Sequence, residues 1–332
     1  MTIASSEINW YRSTTVNDTS SNGGRLSTTE EVSGLTNSLW PDVAEAERSS
    51  GSTKYRKTFI KIDNASDTAL QTVKIGLLAP TPGDDIVTLF PGTNTDIQSG
   101  ISTPNLYGAG TLDSPASASA STIDVLVEDG AVIIFRNGNT IRIADKETAG
   151  EPDINGTGNE EFHVINGTPT ILGDVVTITL TGTLANSYST NATVSSLIEV
   201  ASIVASVTGK SVTSTSGTFD ETKMTAHAIG GLYQIWTFTF SSSTAFSCSG
   251  DVVGSVGTGN INSTFAPNNT AFSTPYFTVL SSAWGGTFAN GDTVQITTLP
   301  ASTPIWEKRY IPAGAGAIAA QMREVMVFGE SA

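Results

Sequence analysis

The alternation of hydrophobic and polar residues along the chain predicts β-strands. YRKTFIKI (55–62) and LQTVKIGLL (70–78) alternate in this way, and QIWTFTF (234–240) does so with large aromatic side chains. Helical periodicity longer than three turns is absent, so only FDETKMTAHA (219–228) and a few residues before Gly51 predict short helices. The fold class predicted from this pattern is all-β.

Changes in composition divide the predicted strands into modules. Residues 1–52 are polar and rich in turn residues, which predicts an extended N-terminal arm with a short helix near its end. Residues 53–120 predict a first β module, 121–185 a small β-barrel-like module and 186–332 one or more C-terminal β modules. LDSPASASAST (112–122) is small and polar and predicts a linker. The predicted architecture is two or three β-sandwich or β-barrel-like modules with an extended N-terminal arm.

One sequence unit occurs twice, as FRNGNTIRI (135–143) and as FANGDTVQI (288–296). Asn-Gly tolerates φ > 0 at two successive positions, so both copies predict a tight hairpin turn followed by an alternating strand. The leading phenylalanines are predicted to be buried, and the unit is interpreted as reused scaffold rather than as a site. The residues that define the unit are Phe135, Asn137, Gly138, Phe288, Asn290 and Gly291.

Two large apolar residues, Leu39 and Trp40, interrupt the polar N-terminal segment and are followed by Pro41, which predicts the first position of the short helix. They could plug the core of their own chain, or they could anchor the arm on a neighbouring subunit. Leu39, Trp40 and Pro41 are therefore the candidate assembly contacts, with both alternatives open.

Net charge limits the partners that the chain can bind. Only 14% of the residues are charged, and the formal net charge is −15 with a pI near 4.4. Such a surface repels a phosphate backbone and an anionic membrane, so direct binding to nucleic acid or to a membrane is not expected. The single cysteine, Cys248, excludes an intrachain disulfide and is expected to be a small strand residue.

Sequence motifs that carry chemistry are few. The two histidines, His163 and His227, have neither metal spacing nor a recognisable nucleophile beside them, and nucleophile-elbow, phosphate-loop and dinucleotide motifs are missing. DINGTGNEE (153–161) imitates the first half of a calcium loop, but Val164 stands where the bidentate glutamate is expected. We therefore expect no catalytic residue, no cofactor and no metal.

Several long strings resemble a known family. GGRLSTTEEVSGLTNSLWPDVAEAERSSGSTKYRKTFIKI (23–62), PTPGDD with LFPGT, GNEEF, WTFTFSSSTAF and PAGAGA…GESA are similar to structural proteins of tailed double-stranded DNA bacteriophages. The resemblance covers nearly the whole chain. It implies a non-enzymatic virion component, assembled in the host cytoplasm from copies of itself and other virion proteins. The neck, tail or baseplate is favoured over the capsid shell, because the main lattice protein of the shell usually has a mixed α/β fold with a long helix and this sequence predicts none.

Two alternative functions remain open at this point. A capsid-decorating or receptor-binding module could hold host glycan on aromatic side chains, although core packing is the commoner outcome for aromatic residues in strands. A tail-borne depolymerase is disfavoured because the catalytic motifs are missing. The candidate sugar-stacking residues are Trp236, Tyr276, Trp284 and Trp306.

Overall fold

β-Strands account for almost all regular structure in the computed structural model, which describes residues 2–35, 37–145, 158–190, 192–317 and 323–332. The all-β prediction is confirmed. Within the described residues the one α-helix is α1 (Glu45–Ser50), and 3₁₀ turns occupy Ser5–Glu7, Gln98–Gly100, Glu221–Lys223 and Ser281–Ala283.

The strands form three groups, each around its own hydrophobic core. The first half of the chain contains β1 (Ile8–Thr15), β2 (Gly23–Glu30), β3 (Ser52–Ile62), β4 (Leu70–Leu77), β5 (Ile86–Pro91), β6 (Ala109–Leu112), β7 (Thr122–Leu126), β8 (Thr140–Ala144), β9 (Glu160–Val164), β10 (Thr170–Leu172), β11 (Val175–Thr179), β12 (Thr193–Ser196) and β13 (Ile198–Ile203). The second half contains β14 (Ser206–Thr213), β15 (Thr218–Phe219), β16 (Met224–Ala226), β17 (Gln234–Phe240), β18 (Ala245–Gly250), β19 (Gly254–Asn260), β20 (Asn268–Asn269), β21 (Thr274–Pro275), β22 (Phe277–Val279), β23 (Trp284–Gly285), β24 (Thr293–Leu299), β25 (Ser302–Ile311) and β26 (Val325–Ser331).

The base module takes strands from both ends of the chain and consists of the described residues among 2–105, 198–205 and 300–332. One sheet has the order β2-β1-β3-β25-β5 and the other the order β13-β4-β26. The central pair, β3 and β25, is antiparallel along the full length of β25. Alternate residues of each strand form the core shared by the two sheets, which includes Ile60, Ile62, Val73, Ile75, Leu89 and Ile305.

The N-terminal segment differs from the predicted extended arm. β1 pairs with β3 in the register Ile8↔Ile62, and β2 pairs with the other side of β1. Because β2 is an edge strand whose serine and threonine side chains face outward, its composition is that of a loop although its backbone is paired. The short helix is present and stops before Gly51, but it begins at Glu45 rather than at Pro41.

The barrel module consists of the described residues among 106–197. Its sheet has the order β10-β11-β7-β6-β12-β8-β9, and a bridge between Ile165 and Leu180 joins the end of β9 to the end of β11, which closes a barrel. The predicted linker lies inside this module: it connects β6 to β7, which pair with each other, and Leu112 and Ala116 are buried in the barrel core. Other residues of this core include Ile123, Val125, Ile141, Ile143, Val176, Ile178 and Val194.

The aromatic module, residues 206–299, is inserted between β13 and β25 of the base module. Its main sheet has the order β14-β24-β17-β18-β19. The helix predicted for residues 219–228 is wrong: a single 3₁₀ turn is followed by β16, because Met224 and Ala226 are buried and Thr225 between them is exposed, which is a strand period. The core is filled by rings, including Phe219, Trp236, Phe238, Phe240, Phe246, Phe277, Trp284 and Phe288.

Candidate functional site

Leu39 and Trp40 contact their own chain. Leu39 is buried, and its carbonyl accepts a hydrogen bond from Arg56 Nε at 3.0 Å. The Trp40 indole Nε1 donates to Glu307 Oε2 at 3.2 Å, and the Arg56 guanidinium carbon lies 4.8 Å from the centre of the indole ring. These contacts match the intramolecular alternative, a plug on the base module, and only Pro41 of the three is exposed.

Glu307 is a fully buried carboxylate in the middle of β25. Besides Trp40, it accepts a hydrogen bond from Arg323 Nη2 at 2.7 Å and forms an ion pair with Nε of the same guanidinium. Burial raises the pKa of Glu307, and the Arg323 charge acts in the opposite direction. A buried carboxylate without a counter-charge is strongly destabilising, so this contact ties the segment before β26 to the central sheet.

Two lysines, Lys57 and Lys61, are fully buried on the other face of β3. Lys57 Nζ lies 2.6 Å from Asp96 Oδ1, while Lys61 Nζ forms an ion pair with Asp63 and donates to the Ile229 carbonyl at 2.8 Å. Burial lowers the pKa of both ammonium groups.

A lysine with a lowered pKa is a candidate nucleophile where a substrate can reach it. Lys57 and Lys61 both have 0% exposure and lie over aromatic rings, Trp306 for the first and Phe272 for the second. Because Ile229 and Phe272 belong to the aromatic module, Lys61 joins that module to the base module. The arrangement is that of a structural contact.

His227 lies between a carboxylate and a hydroxyl where the base and aromatic modules meet. Its Nδ1 is 2.9 Å from Asp67 Oδ2, its Nε2 is 2.8 Å from Thr278 Oγ1, and Asp67 Oδ1 accepts from the Ala228 N–H at 2.7 Å. Carboxylate, imidazole and hydroxyl in this order are the parts of a nucleophilic triad. No sequence motif predicts this group, because Asp67 and Thr278 lie far from His227 along the chain.

The surroundings of this triad-like group are those of a module contact. Thr278 lies inside β22, where it pairs with Thr225 of β16, so its hydroxyl is part of a sheet surface rather than of a cleft. Acyl transfer also needs a cavity beside the hydroxyl with donors for an oxyanion. The cleft and the small cavity described below are lined by other residues than Asp67, His227 and Thr278.

His163 contributes to a carboxylate cage in the barrel module. Glu161 accepts from the Ala185 N–H at 2.8 Å, the Asn186 N–H at 2.7 Å and the Tyr188 hydroxyl at 3.0 Å, and His163 Nε2 lies 2.9 Å from it. Burial raises the pKa of Glu161, but these hydrogen bonds outweigh it and lower the pKa to about 2. The cage holds the 184–188 loop against β9.

The four candidate sugar-stacking residues form no exposed platform. Trp236 and Trp306 have 0% exposure, Trp284 lies 4.7 Å from Phe219 within the ring core, and Tyr276 is half-buried against Trp236. The buried tryptophans follow the core-packing alternative, since their ring faces pack inside the protein.

A cleft and a small internal cavity are found among the described residues. A shallow cleft of about 330 Å³ beside Trp284 is lined by Lys210, Thr218, Asp220 and Ser282. A cavity of about 10 Å³ between the base and barrel modules, lined by Thr88, Val127 and Glu128, has room for about one water molecule.

The two copies of the repeated unit fold identically at the turn. Gly138 and Gly291 have positive φ, 82° and 91°, and each N–H donates to a carbonyl on a neighbouring strand end, that of Ile165 at 2.9 Å and that of Phe240 at 2.8 Å. The first turn residue is Arg136 in one copy and Ala289 in the other, and the fourth is Asn139 or Asp292. The N–H of the fourth residue donates to the carbonyl of the first, and the side-chain oxygen of the fourth accepts from the N–H of the first.

The unit is nevertheless not the predicted hairpin. Asn137 and Asn290 keep negative φ, so a single positive φ at the glycine gives the pattern of a type II turn. The residues before each turn belong to no strand, and β8 and β24 pair with other strands on both sides. Phe135 and Phe288, at 3% and 2% exposure, are buried as predicted.

Two sequence candidates remain, the single cysteine and the calcium-loop segment. Cys248 is buried in β18, and burial raises the pKa of its thiol. The calcium-loop candidate, 153–161, falls mostly outside the described residues, and the described part of the chain holds no cluster of three metal-ligating side chains. No described helix is long and apolar enough to span a bilayer.

Exposed apolar side chains are the feature that sequence reasoning missed. The most exposed are Leu172 at 83%, Val252 at 64% and Leu35 at 60%, one in each module. In an alternating strand either face can be the buried one, so the sequence alone does not tell which apolar residue faces outward.

Neither protein-family models, nor curated protein sequences, nor solved structures gave a match to this chain. The likeness to phage structural proteins therefore rests on the quoted sequence strings.

Proposed function

We propose that this chain is a non-enzymatic structural component of a tailed-bacteriophage virion, belonging to the neck, tail or baseplate. It acts by symmetric assembly with copies of itself and with other virion proteins. The resemblance of long sequence strings to such proteins motivates the proposal, and the multi-module β fold is compatible with it.

One structural observation carries the proposal: buried and partly buried ionic side chains join segments of the chain to one another. Glu307 holds the segment before β26, Lys61 holds the aromatic module and Glu161 holds a barrel loop. Enclosed charges that are held by several partners rigidify a fold. Rigid modules with exposed apolar side chains suit a protein that acts through shape and contact.

Particle composition and solution assembly test this proposal together. Virions purified from the host that carries the gene should contain the chain in stoichiometric amounts by quantitative mass spectrometry. Sedimentation velocity of the purified protein should show concentration-dependent association into a closed oligomer. Absence of the chain from purified particles would contradict the proposal.

A further inference from the structure

The outer surface of the barrel module carries an exposed apolar row. Leu172 of β10, Val175 of β11 and Leu126 of β7 are successive register partners, so their side chains lie side by side on one face. Leu172 is 83% exposed and Leu126 is 44% exposed, whereas their sequence neighbours on the barrel-core side, such as Val125 and Val176, are buried. In an alternating strand the side chains on the solvent side are usually polar. On this face, three of them are apolar.

The same outer surface is already an interface on its other side. The register row continues through Thr111 of β6 to Thr193 of β12 and Ala144 of β8, the last two of which are buried. Next to them, Ser195 Oγ donates to the Leu77 carbonyl of the base module at 2.6 Å. The exposed apolar row therefore extends a surface that packs against protein elsewhere.

Acidic side chains border the exposed row. Asp124 shares the face of Leu126 on β7, and Asp174 stands in the turn that leads into β11, where its Oδ1 accepts from the Gly130 N–H at 3.0 Å. Residues 106–197 contain 11 Asp and Glu but only 3 Lys and Arg, so this module carries more than half of the net charge of −15. Apolar side chains within an acidic border fit a partner of opposite charge.

We propose that this face, defined by Leu126, Thr170, Leu172, Val175 and Thr177 and named the barrel face, docks a partner protein whose apolar side chains are bordered by Lys or Arg. A second copy of this chain fits it poorly, because a two-fold contact would set the same acidic groups against one another. The inference rests on the proposed function, since it names the chemistry of one neighbour in the assembly.

Two synthetic peptides of equal length, one alternating Leu and Lys and one alternating Leu and Glu, test the proposal by fluorescence anisotropy with the full chain. The variants are Leu172→Ser and the control Val252→Ser, which removes a 64% exposed side chain from the aromatic module. We expect the Leu-Lys peptide to bind about tenfold more tightly than the Leu-Glu peptide, and Leu172→Ser to weaken its binding about tenfold. Val252→Ser should bind like the wild type.

Equal affinity of the wild type and Leu172→Ser for the Leu-Lys peptide would overturn the proposal, as would equal affinity for the two peptides. Self-association that Leu172→Ser abolishes in sedimentation velocity would also overturn it, because the occupant would then be a second copy. None of these results bears on whether the chain is in the virion. Conversely, absence of the chain from particles would refute the assembly role while leaving the peptide result unchanged.

Discussion

At the scale of single residues, polar groups that are buried or half-buried are the most informative feature of this chain. Glu161 is one of the 31 acidic residues, and nothing in its sequence context sets it apart from Glu160 beside it. In the fold, Glu160 forms an ion pair with Arg142. Glu161 instead accepts hydrogen bonds from backbone and side-chain donors of a loop. Such roles depend on contacts between distant segments, which residue type alone does not encode.

Replacing Glu161 with Gln should lower the free energy of unfolding at pH 7 by about 1 to 2 kcal/mol, after allowance for solvent screening. The folded pKa of about 2 lies below the ordinary value of 4.5, so the carboxylate stabilises the fold fully above about pH 4.5. That contribution is lost as the pH falls toward 2.

Urea titrations at pH 7, 5 and 3 measure this effect. The difference between the wild type and Glu161→Gln should shrink with falling pH, whereas Asp113→Asn, a change at an exposed carboxylate of the same module, should show no such trend. A wild-type-to-variant difference that is constant across the pH range would refute the role given to Glu161.

The triad-like group of Asp67, His227 and Thr278 can be tested for a structural role against a catalytic one. We expect Thr278→Ala and His227→Ala to lower the melting temperature, because each leaves a polar partner unsatisfied at the module contact. Neither the wild type nor the variants should hydrolyse an activated ester or host polysaccharide above the buffer rate. Turnover that Thr278→Ala abolishes would show that the group is catalytic.

At the scale of elements, the repeated turn separates what a local pattern encodes from what it does not. The alternation after Asn-Gly was predicted correctly: Ile141, Ile143, Val294 and Ile296 are all buried. Asn-Gly also predicts the turn correctly. The predicted hairpin is wrong, because contacts with distant segments determine which strands pair. The same limit explains β2, whose polar sequence becomes a strand only because β1 offers it an edge.

Phe135→Ala and Phe288→Ala should each destabilise the protein by about 3 to 5 kcal/mol, through lost burial and the cavity left behind. Chemical denaturation of both variants measures this cost. Phe162→Ala is the matched control, because that ring is 40% exposed, and its cost should be clearly smaller. If both core variants melted like the wild type, the structural role of the unit would be refuted.

At the scale of the whole molecule, the modules are nested rather than strung along the chain. The chain starts in the base module, leaves it for the barrel module and again for the aromatic module, and returns in β25. Composition does not predict that β13 and β25 belong to the base module, since their sequences resemble those of the other strands. The boundaries predicted at 120 and 185 are linear, because composition varies along the chain and does not show which distant strands pair.

The single cysteine reports on the aromatic module as a unit. Cys248 is buried, and burial raises its thiol pKa, so reaction with an aromatic disulfide reagent should require opening of that module. We expect labelling under native conditions to be far slower than in denaturant. Rapid native labelling would show that this module is open in solution.

Electron cryo-microscopy of the intact particle, with this chain traced into the density, tests the central claim most directly. We predict several symmetry-related copies in the neck, tail or baseplate, with the base, barrel and aromatic modules recognisable in each. We further predict that a neighbouring protein covers Leu172. A complete atomic assignment of the particle that leaves no place for this chain would contradict the account.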